Sequence, residues 1–173
     1  MDPRYPIGRF DPADQTPLEQ VIDVIAALPA RLLEVASELT ESHLATPYRE
    51  GGWTARQVFH HLADSHLNSF VRFRLALTED RPTIKPYDEK LWAQLPDAAE
   101  GPIGPSLELI EGLHARWVAL MRAMTPSDFQ RTFVHPDRGE MSLELTARLY
   151  GWHCRHHLGH LEIVAALPGG RSG

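Results

Sequence analysis

The chain has 173 residues, a formal net charge of −6 and 43% hydrophobic content, which suits a single domain with a core of its own. An acidic chain without a basic block is a poor match for nucleic-acid phosphates, and no window approaches the roughly 18 uncharged apolar residues of a membrane span. Its single cysteine, Cys154, excludes an intrachain disulfide, and an N-terminus rich in acids and prolines lacks the apolar run of a signal peptide, so a cytoplasmic protein is expected.

Residues 1–15, "MDPRYPIGRFDPADQ", read as an extended arm. Thr16 and Glu19 have capping-box spacing, with Pro17 at the first helical position. Val21, Ile22, Ile25, Leu28, Leu32 and Leu33 then repeat at helical spacing, which predicts a first long helix to about Leu39, with Pro29 as the place for a kink. "TPYREGGW" is a loop. A second capping box, Thr54 with Gln57, starts a second long helix that runs to Thr78, and Trp53 and Val58 are placed to staple its entry. Residues 79–105 carry five prolines and predict a long connection, either functional or structured by docking, with a short helix near Asp88–Gln94. Ser106 is the expected cap of a third long helix, to about Met124. "TPSDF" starts a turn, and "QRTFVHPDRGEM" suits a small strand pair around Pro136–Gly139. Ser142 caps the last helix, Leu143 to about Leu167, which "PGG" ends. Four long amphipathic helices with few strand signals predict an all-α protein, a four-helix bundle occupying residues 1–173 as one domain.

The last helix carries four of the ten histidines: His153, His156, His157 and His160. On a wheel of about 100° per residue, Glu144, Arg148, Arg155 and Glu162 share one side, and Leu149, His153, His157, His160 and Val164 share the other. The histidines therefore face the bundle interior, where each imidazole needs partners for its ring nitrogens. A divalent metal supplies them together; a set of core histidines bonded to backbone and side chains is the competing reading. Side chains four apart on a helix can reach one ion, which leaves two pairs, His153 with His157 and His156 with His160. A third ligand must come from another helix. On the second long helix, Thr54, Gln57, His61, Asp64, Ser65, Asn68 and Arg72 form a polar stripe, opposite Phe59, Phe70, Phe73 and Leu77. If that stripe lines a pocket rather than open surface, His61 is its natural ligand. The aromatic face is read as core or as a dimer interface. The tryptophans and Cys154 are read as packing residues, and His43, His66, His114 and His135 are given no catalytic role.

Six stretches in order, "YPIG", "PYREGGWTARQVFHHLADSHLNSFVRFRLALTED", "IKPYDEKLW", "LHARW", "HPD" and "LYGWHCRHHLGH", together resemble the YfiT-type metal-dependent hydrolases of the DinB-like superfamily of four-helix bundles. The resemblance covers nearly the whole chain. It implies one divalent ion, zinc or nickel, held by three histidines, one from the second helix and two, four apart, from the last. The helix-two ligand precedes a Leu in the family, which selects His61 over His60, and His153 and His157 match the last-helix pair. The superfamily pattern continues with x-Gly-Gln; here Gly159 fits and His160 stands in place of the glutamine, as a group behind a ligand or as a substitute ligand.

The reading that follows is a hydrolase whose metal activates water, with Asp64 as the candidate proton acceptor. A thiol S-transferase of the bacillithiol or mycothiol type is the alternative. The metal would then ionise a low-molecular-weight thiol, and Asn68 and Arg72 would contact its carboxylates. A non-catalytic metal-binding stress protein, with His160 or Asp64 as fourth ligand, is the third reading. The resemblance also implies a homodimer acting on a small molecule.

Overall fold

The apolar spacing of the first long segment becomes α1 (Leu18–Glu38), whose buried side chains Val21, Ile22, Ile25, Leu28, Leu32 and Val35 form one stripe. Pro29 is carried inside this helix. In the computed structural model, which describes residues 2–168, three further long helices share the core: α3 (Ala55–Thr78), α6 (Gly104–Ala123) and α8 (Leu143–Ala165). Short elements occupy the connections, α2 (Glu41–Leu44), α4 (Glu89–Trp92), α5 (Pro96–Glu100) and α7 (Pro126–Phe129). An antiparallel hairpin, β1 (Thr132–His135) and β2 (Gly139–Ser142), pairs His135 with Gly139 at its tip.

Both α1 and α3 pack on α6 and α8. The consecutive long helices α1 and α3 therefore stand on one diagonal of the bundle, and α6 and α8 on the other. Helices on a diagonal cannot be joined by a tight turn, so residues 39–54 and 124–142 are crossings that carry α2, α7 and the hairpin. Between α3 and α6 the chain instead lays residues 79–103 over the flank of α3. Gln57 Nε2 donates to the Ala93 carbonyl at 2.7 Å, and Arg56 Nη1 to the Gly101 carbonyl at 2.7 Å. Ile84, Ala93 and Ala98 are buried beneath this cover, which docks as the proline-rich stretch predicted and adds α5 where the sequence read plain connection. Phe59, Phe70 and Phe73 all lie in the core, Phe73 edge-on to Trp117, so the aromatic face is not an interface.

Helix starts follow local chemistry where the capping residue has no better partner. At Thr54 the box forms: its hydroxyl accepts from Gln57 N at 3.2 Å, and Gln57 Oε1 accepts from Thr54 N at 3.0 Å. At Thr16 it does not, because the hydroxyl donates to Asp14 Oδ1 at 2.8 Å and leaves Pro17 in the cap position without a side-chain bond. Ser106 is not a cap either. α6 begins at Gly104 with Pro105 in its first turn, and Ser106 Oγ faces His60 Nδ1 at 2.8 Å. "TPSDF" closes as α7 through a box between Thr125 and Asp128. Ser142 caps α8 as expected; the helix stops at Ala165, and the glycines of "PGG" lie outside the described residues.

The arm is seated on α8. A Cβ at Gly159 would lie 2.8 Å from Pro6 Cγ, so only glycine admits the arm at that depth. Two residues on, Trp152 Nε1 donates to the Gly8 carbonyl at 3.2 Å. This contact brings Tyr5 alongside His156, with ring centroids 6.1 Å apart, and so places the arm beside the histidines.

Candidate metal centre

α8 sets His153 and His157 one turn apart on its inner face, and α3, packed across it, presents His61 to both. His61 Nε2 lies 3.2 Å from His153 Nε2, and donor atoms of all three rings lie within 4.8 Å of one another. Two nitrogens bound to one ion at about 2.0–2.1 Å stand about 3.3 Å apart at a tetrahedral angle and about 3.0 Å apart at a right angle. The observed spacing falls between those values. Burial drives the His61 imidazole down to about 3 and holds His153 and His157 well below their ordinary range, so all three are neutral, the form that binds metal. Three neutral imidazoles suit zinc or nickel, so the residues present fit the ion.

Behind His153 stands a chain of two more buried histidines. His153 Nδ1 is 3.1 Å from His66 Nε2, His66 Nδ1 is 2.8 Å from His114 Nε2, and His114 Nδ1 is 2.7 Å from the Ile25 carbonyl of α1. A carbonyl only accepts, and this fixes every proton in the series. His114 must carry its proton on Nδ1, so its Nε2 accepts from His66 Nδ1–H, and His66 Nε2 in turn accepts from His153 Nδ1–H. The lone pair of His153 is left on Nε2, the atom that faces His61. The Ile25 carbonyl thus selects the ligand tautomer three residues away.

His157 is backed in a similar way, its Nδ1 lying 3.2 Å from Nδ1 of His160. The His160 ring is stacked on Tyr48 at 3.8 Å, and its Nε2 makes no hydrogen bond. With Nδ1 engaged, Nε2 of His157 is the atom available to an ion. His156, His157 and His160 form a second trio within the same 4.8 Å limit. That trio comes from one helix, whereas the first draws on two helices and includes the bare Nε2 of His153.

The first trio lines a cavity of about 1420 Å³, walled by one edge of the polar stripe of α3 (Gln57, His61, Ser65 and Arg72), by α8, the 48–53 loop, the arm, the hairpin and residues 87–90. Trp53 forms part of the wall, its ring 4.6 Å from that of His61. Tyr150 sits at the floor, 5.3 Å from the His153 ring, with its hydroxyl donating to the Ser65 carbonyl at 3.0 Å.

Comparison with known proteins places this architecture. The model of the DinB superfamily matches residues 6–161. A Bacillus subtilis protein, YfiT, is 48% identical over 169 residues, 95% of each chain, and metal-dependent hydrolysis is its proposed activity. A Bacillus cereus AH820 relative with the same proposed activity is 48% identical over 166 residues, 94% of this chain and 95% of its own. The solved structure of the Bacillus subtilis protein, described as having an unusual four-helix bundle topology, superposes with a TM-score of 0.90 at 45% identity, covering 95% of this chain and 96% of that one. The chain belongs to the DinB superfamily.

Within this DinB-superfamily bundle, the three expected ligands His61, His153 and His157 come together. His60 does not join them, since its ring is engaged by Ser106 and faces the Gly101 carbonyl at 3.3 Å. Arg72 reaches the cavity wall. Asp64 does not line the cavity. It lies about 60° round the helix from His61, toward the 79–103 cover, where burial and the nearby Asp97 push its carboxyl up to about 6. Asn68 also lies off the wall, and its Nδ2 donates to the Asp64 carbonyl at 2.8 Å, so neither residue is brought beside the trio. Sequence reasoning gave no role to His66 and His114, the chain behind His153, and read Trp53 and Trp152 as packing although both line the cavity. The available signal was an imidazole set among apolar neighbours on each of two helices, a group that needs a partner wherever it is buried.

Proposed function

We propose that the chain is a metal-dependent hydrolase whose ion is zinc or nickel held by His61, His153 and His157. The observation that carries this reading is the 3.2 Å approach of His61 Nε2 to His153 Nε2, the latter nitrogen bare by the tautomer argument. A divalent ion in this position supplies Lewis acidity and brings the pKa of a water toward neutrality. The chain's own contribution is orientation and access. His66 and His160 hold the two α8 imidazoles at Nδ1, Trp53 shields the His61 edge, and the open side of the trio faces the cavity where a small molecule enters. A metal carrier without turnover would need a closed fourth position. Asp64 lies outside the cavity and the Nδ1 edge of His160 faces His157, which argues against that reading.

One observation favours a second reading, the thiol S-transferase. Among the described residues the acids on the cavity wall are Asp88 and Glu89, and Asp88 Oδ1 is taken up accepting from the Lys90 and Leu91 amides. No carboxylate stands beside the trio to take a proton from water. A low-molecular-weight thiol bound at the open side would be acidified by the ion and release its proton to solvent, and its thiolate would displace a leaving group from an electrophile, that group departing with the electrons of the broken bond.

The homodimer implied by the resemblance and the cytoplasmic location expected from the sequence belong to this proposal; sedimentation equilibrium tests the first. The deciding experiment is metal content by mass spectrometry on untagged wild type and on the alanine variants of His61, His153, His157, His156 and His160. About one zinc or nickel per chain, lost on removing His61, His153 or His157, is expected. Metal retained without His61 but lost without His156 or His160 moves the site to the second trio, and no metal in any form, even after reconstitution, overturns the proposal. Turnover of an electrophile only with added thiol selects the transferase.

A further inference from the structure

In a chain of net charge −6, the cavity wall carries six cations, Arg4, Arg9, Arg49, Arg72, Lys90 and Arg138, against two acids. Among the described residues, Arg4 alone of the six has a carboxylate partner, Asp2 at 2.9 Å. Away from the cavity, five of the ten described cations, Arg31, Arg56, Arg81, Arg122 and Arg148, are each bridged to Asp or Glu. Arg49 directs Nη1 to the Glu50 carbonyl at 2.7 Å and leaves its Nε buried without a partner.

Arg72, from the middle of α3, and Arg138, whose amide donates to the His135 carbonyl in the hairpin turn at 3.2 Å, both line the cavity where β1 packs on α3. The nearest acid, Asp137, stands 3.9 Å from His135 Nδ1, is 77% exposed and does not line the cavity. Two guanidiniums lining one cavity without a carboxylate between them repel. A carboxylate or phosphate between them reverses the sign, because each guanidinium offers a planar fork of donors.

We propose that Arg72 and Arg138 form an oxyanion subsite beside the histidine trio, so that the substrate is a small acid bearing a carboxylate or phosphate group. Its anionic end is held at the hairpin side, and its reacting bond reaches the trio past Tyr150. The position of the reacting bond rests on the metal-centre reading; the subsite itself does not.

The test therefore uses chelator-treated, metal-free protein. Inorganic phosphate and succinate are titrated by calorimetry at low ionic strength into wild type, Arg72→Gln, Arg138→Gln and Arg74→Gln, with circular dichroism confirming the fold of each. Arg74 lies over the Phe70 ring outside the cavity and serves as the charge control. At least one of the two anions is expected to bind, about tenfold or more weaker in each cavity variant and unchanged in the control. Which anion binds more tightly assigns the group to carboxylate or phosphate. Failure of both anions to bind, or equal weakening in all three variants, overturns the proposal. Because the readout needs no ion, a failed metal reading leaves a positive result intact, and a failed titration leaves the metal reading intact.

Discussion

Replacing His66 with Phe keeps the volume of the ring and removes two of the three hydrogen bonds in the chain behind His153. His153 Nδ1–H loses its acceptor at 3.1 Å, and His114 Nε2 loses its donor at 2.8 Å. His66 is 0% exposed, so water does not replace them. Each orphaned group costs about 1–3 kcal/mol, and the better burial of an apolar ring offsets part of this, so a net loss of about 2–4 kcal/mol is expected. The metal effect is separate. Without His66, the His153 proton is free to move to Nε2, the atom the ion needs, and loss of a partner behind a ligand typically weakens metal affinity 10–100-fold, or about 1.4–2.7 kcal/mol. His114→Phe leaves the His153–His66 bond in place and removes only the polarity set by the Ile25 carbonyl. It should cost about fivefold in affinity, the equivalent of one ordinary hydrogen bond. Zinc competition against a chromogenic chelator, paired with urea unfolding of the metal-free proteins, measures both quantities. His43→Ala is the control. It removes a buried imidazole bonded to Thr40 and facing the Leu167 carbonyl, far along the chain from the trio, and should lower stability with no change in zinc affinity. Zinc affinity within twofold of wild type in His66→Phe, with stability lowered as predicted, would mean that His66 only packs. Nitrogen NMR of the metal-free wild type gives an independent check, since protons on Nδ1 of His153, His66 and His114 are required, and an Nε2–H form of any of them refutes the tautomer argument.

Three further outcomes follow from the same structure. The Asp64 carboxyl is raised from 3.8 to about 6, so the fold disfavours its ionised form; the penalty is absent below about pH 4, grows between the two values and is complete above about 6. Asp64→Asn should therefore raise stability by about 1–2 kcal/mol at pH 8, the roughly 3 kcal/mol of linkage being discounted for partial exposure, and leave it unchanged near pH 4; urea midpoints with no gain at pH 8 contradict this. A Cβ on Gly151 would stand 2.8 Å from Val21 Cγ1 at the α1–α8 contact. Gly151→Ala gains up to about 1 kcal/mol in helix propensity against about 1–3 kcal/mol of overpacking, so a net loss near 1 kcal/mol is expected, relieved by adding Val21→Ala, whereas a stabilised single variant would show that the helices separate freely. Gln57 both closes the capping box of α3 and anchors Ala93, so Gln57→Ala should lose about 1–2 kcal/mol and speed hydrogen exchange in residues 89–100 without changing α1; unchanged exchange there would show that the cover is held by its apolar contacts alone.

What the sequence discloses here depends on the range over which each residue acts. The four long helices were legible because periodicity is local; a wheel places His153, His157 and His160 on the inner face of α8 and a polar stripe offers His61, and the family resemblance chose the trio among them. Capping signals were legible only where the capping residue had no competing partner outside its own helix. Thr54 and Gln57 bond each other, but Thr16 turns to Asp14, and Ser106 turns to His60 on another helix. The chain behind His153 failed to appear for the same reason. His66 on α3, His114 on α6 and the Ile25 carbonyl on α1 have no fixed spacing in sequence, and only the packing of α3 and α1 on α6 aligns them. The cavity charge is similar, since Arg4, Arg9 and Arg138 come from an arm and a hairpin turn whose seats on the bundle no periodicity predicts. Asp64 shows the converse case. One helical turn from His61 is close in sequence, yet the rotation of about 60° that goes with it directs the carboxylate under the cover and away from the trio. Proximity along a helix therefore identifies what shares a face, whereas the groups that decide which nitrogen of His153 meets the ion are supplied by helices crossing from elsewhere in the bundle.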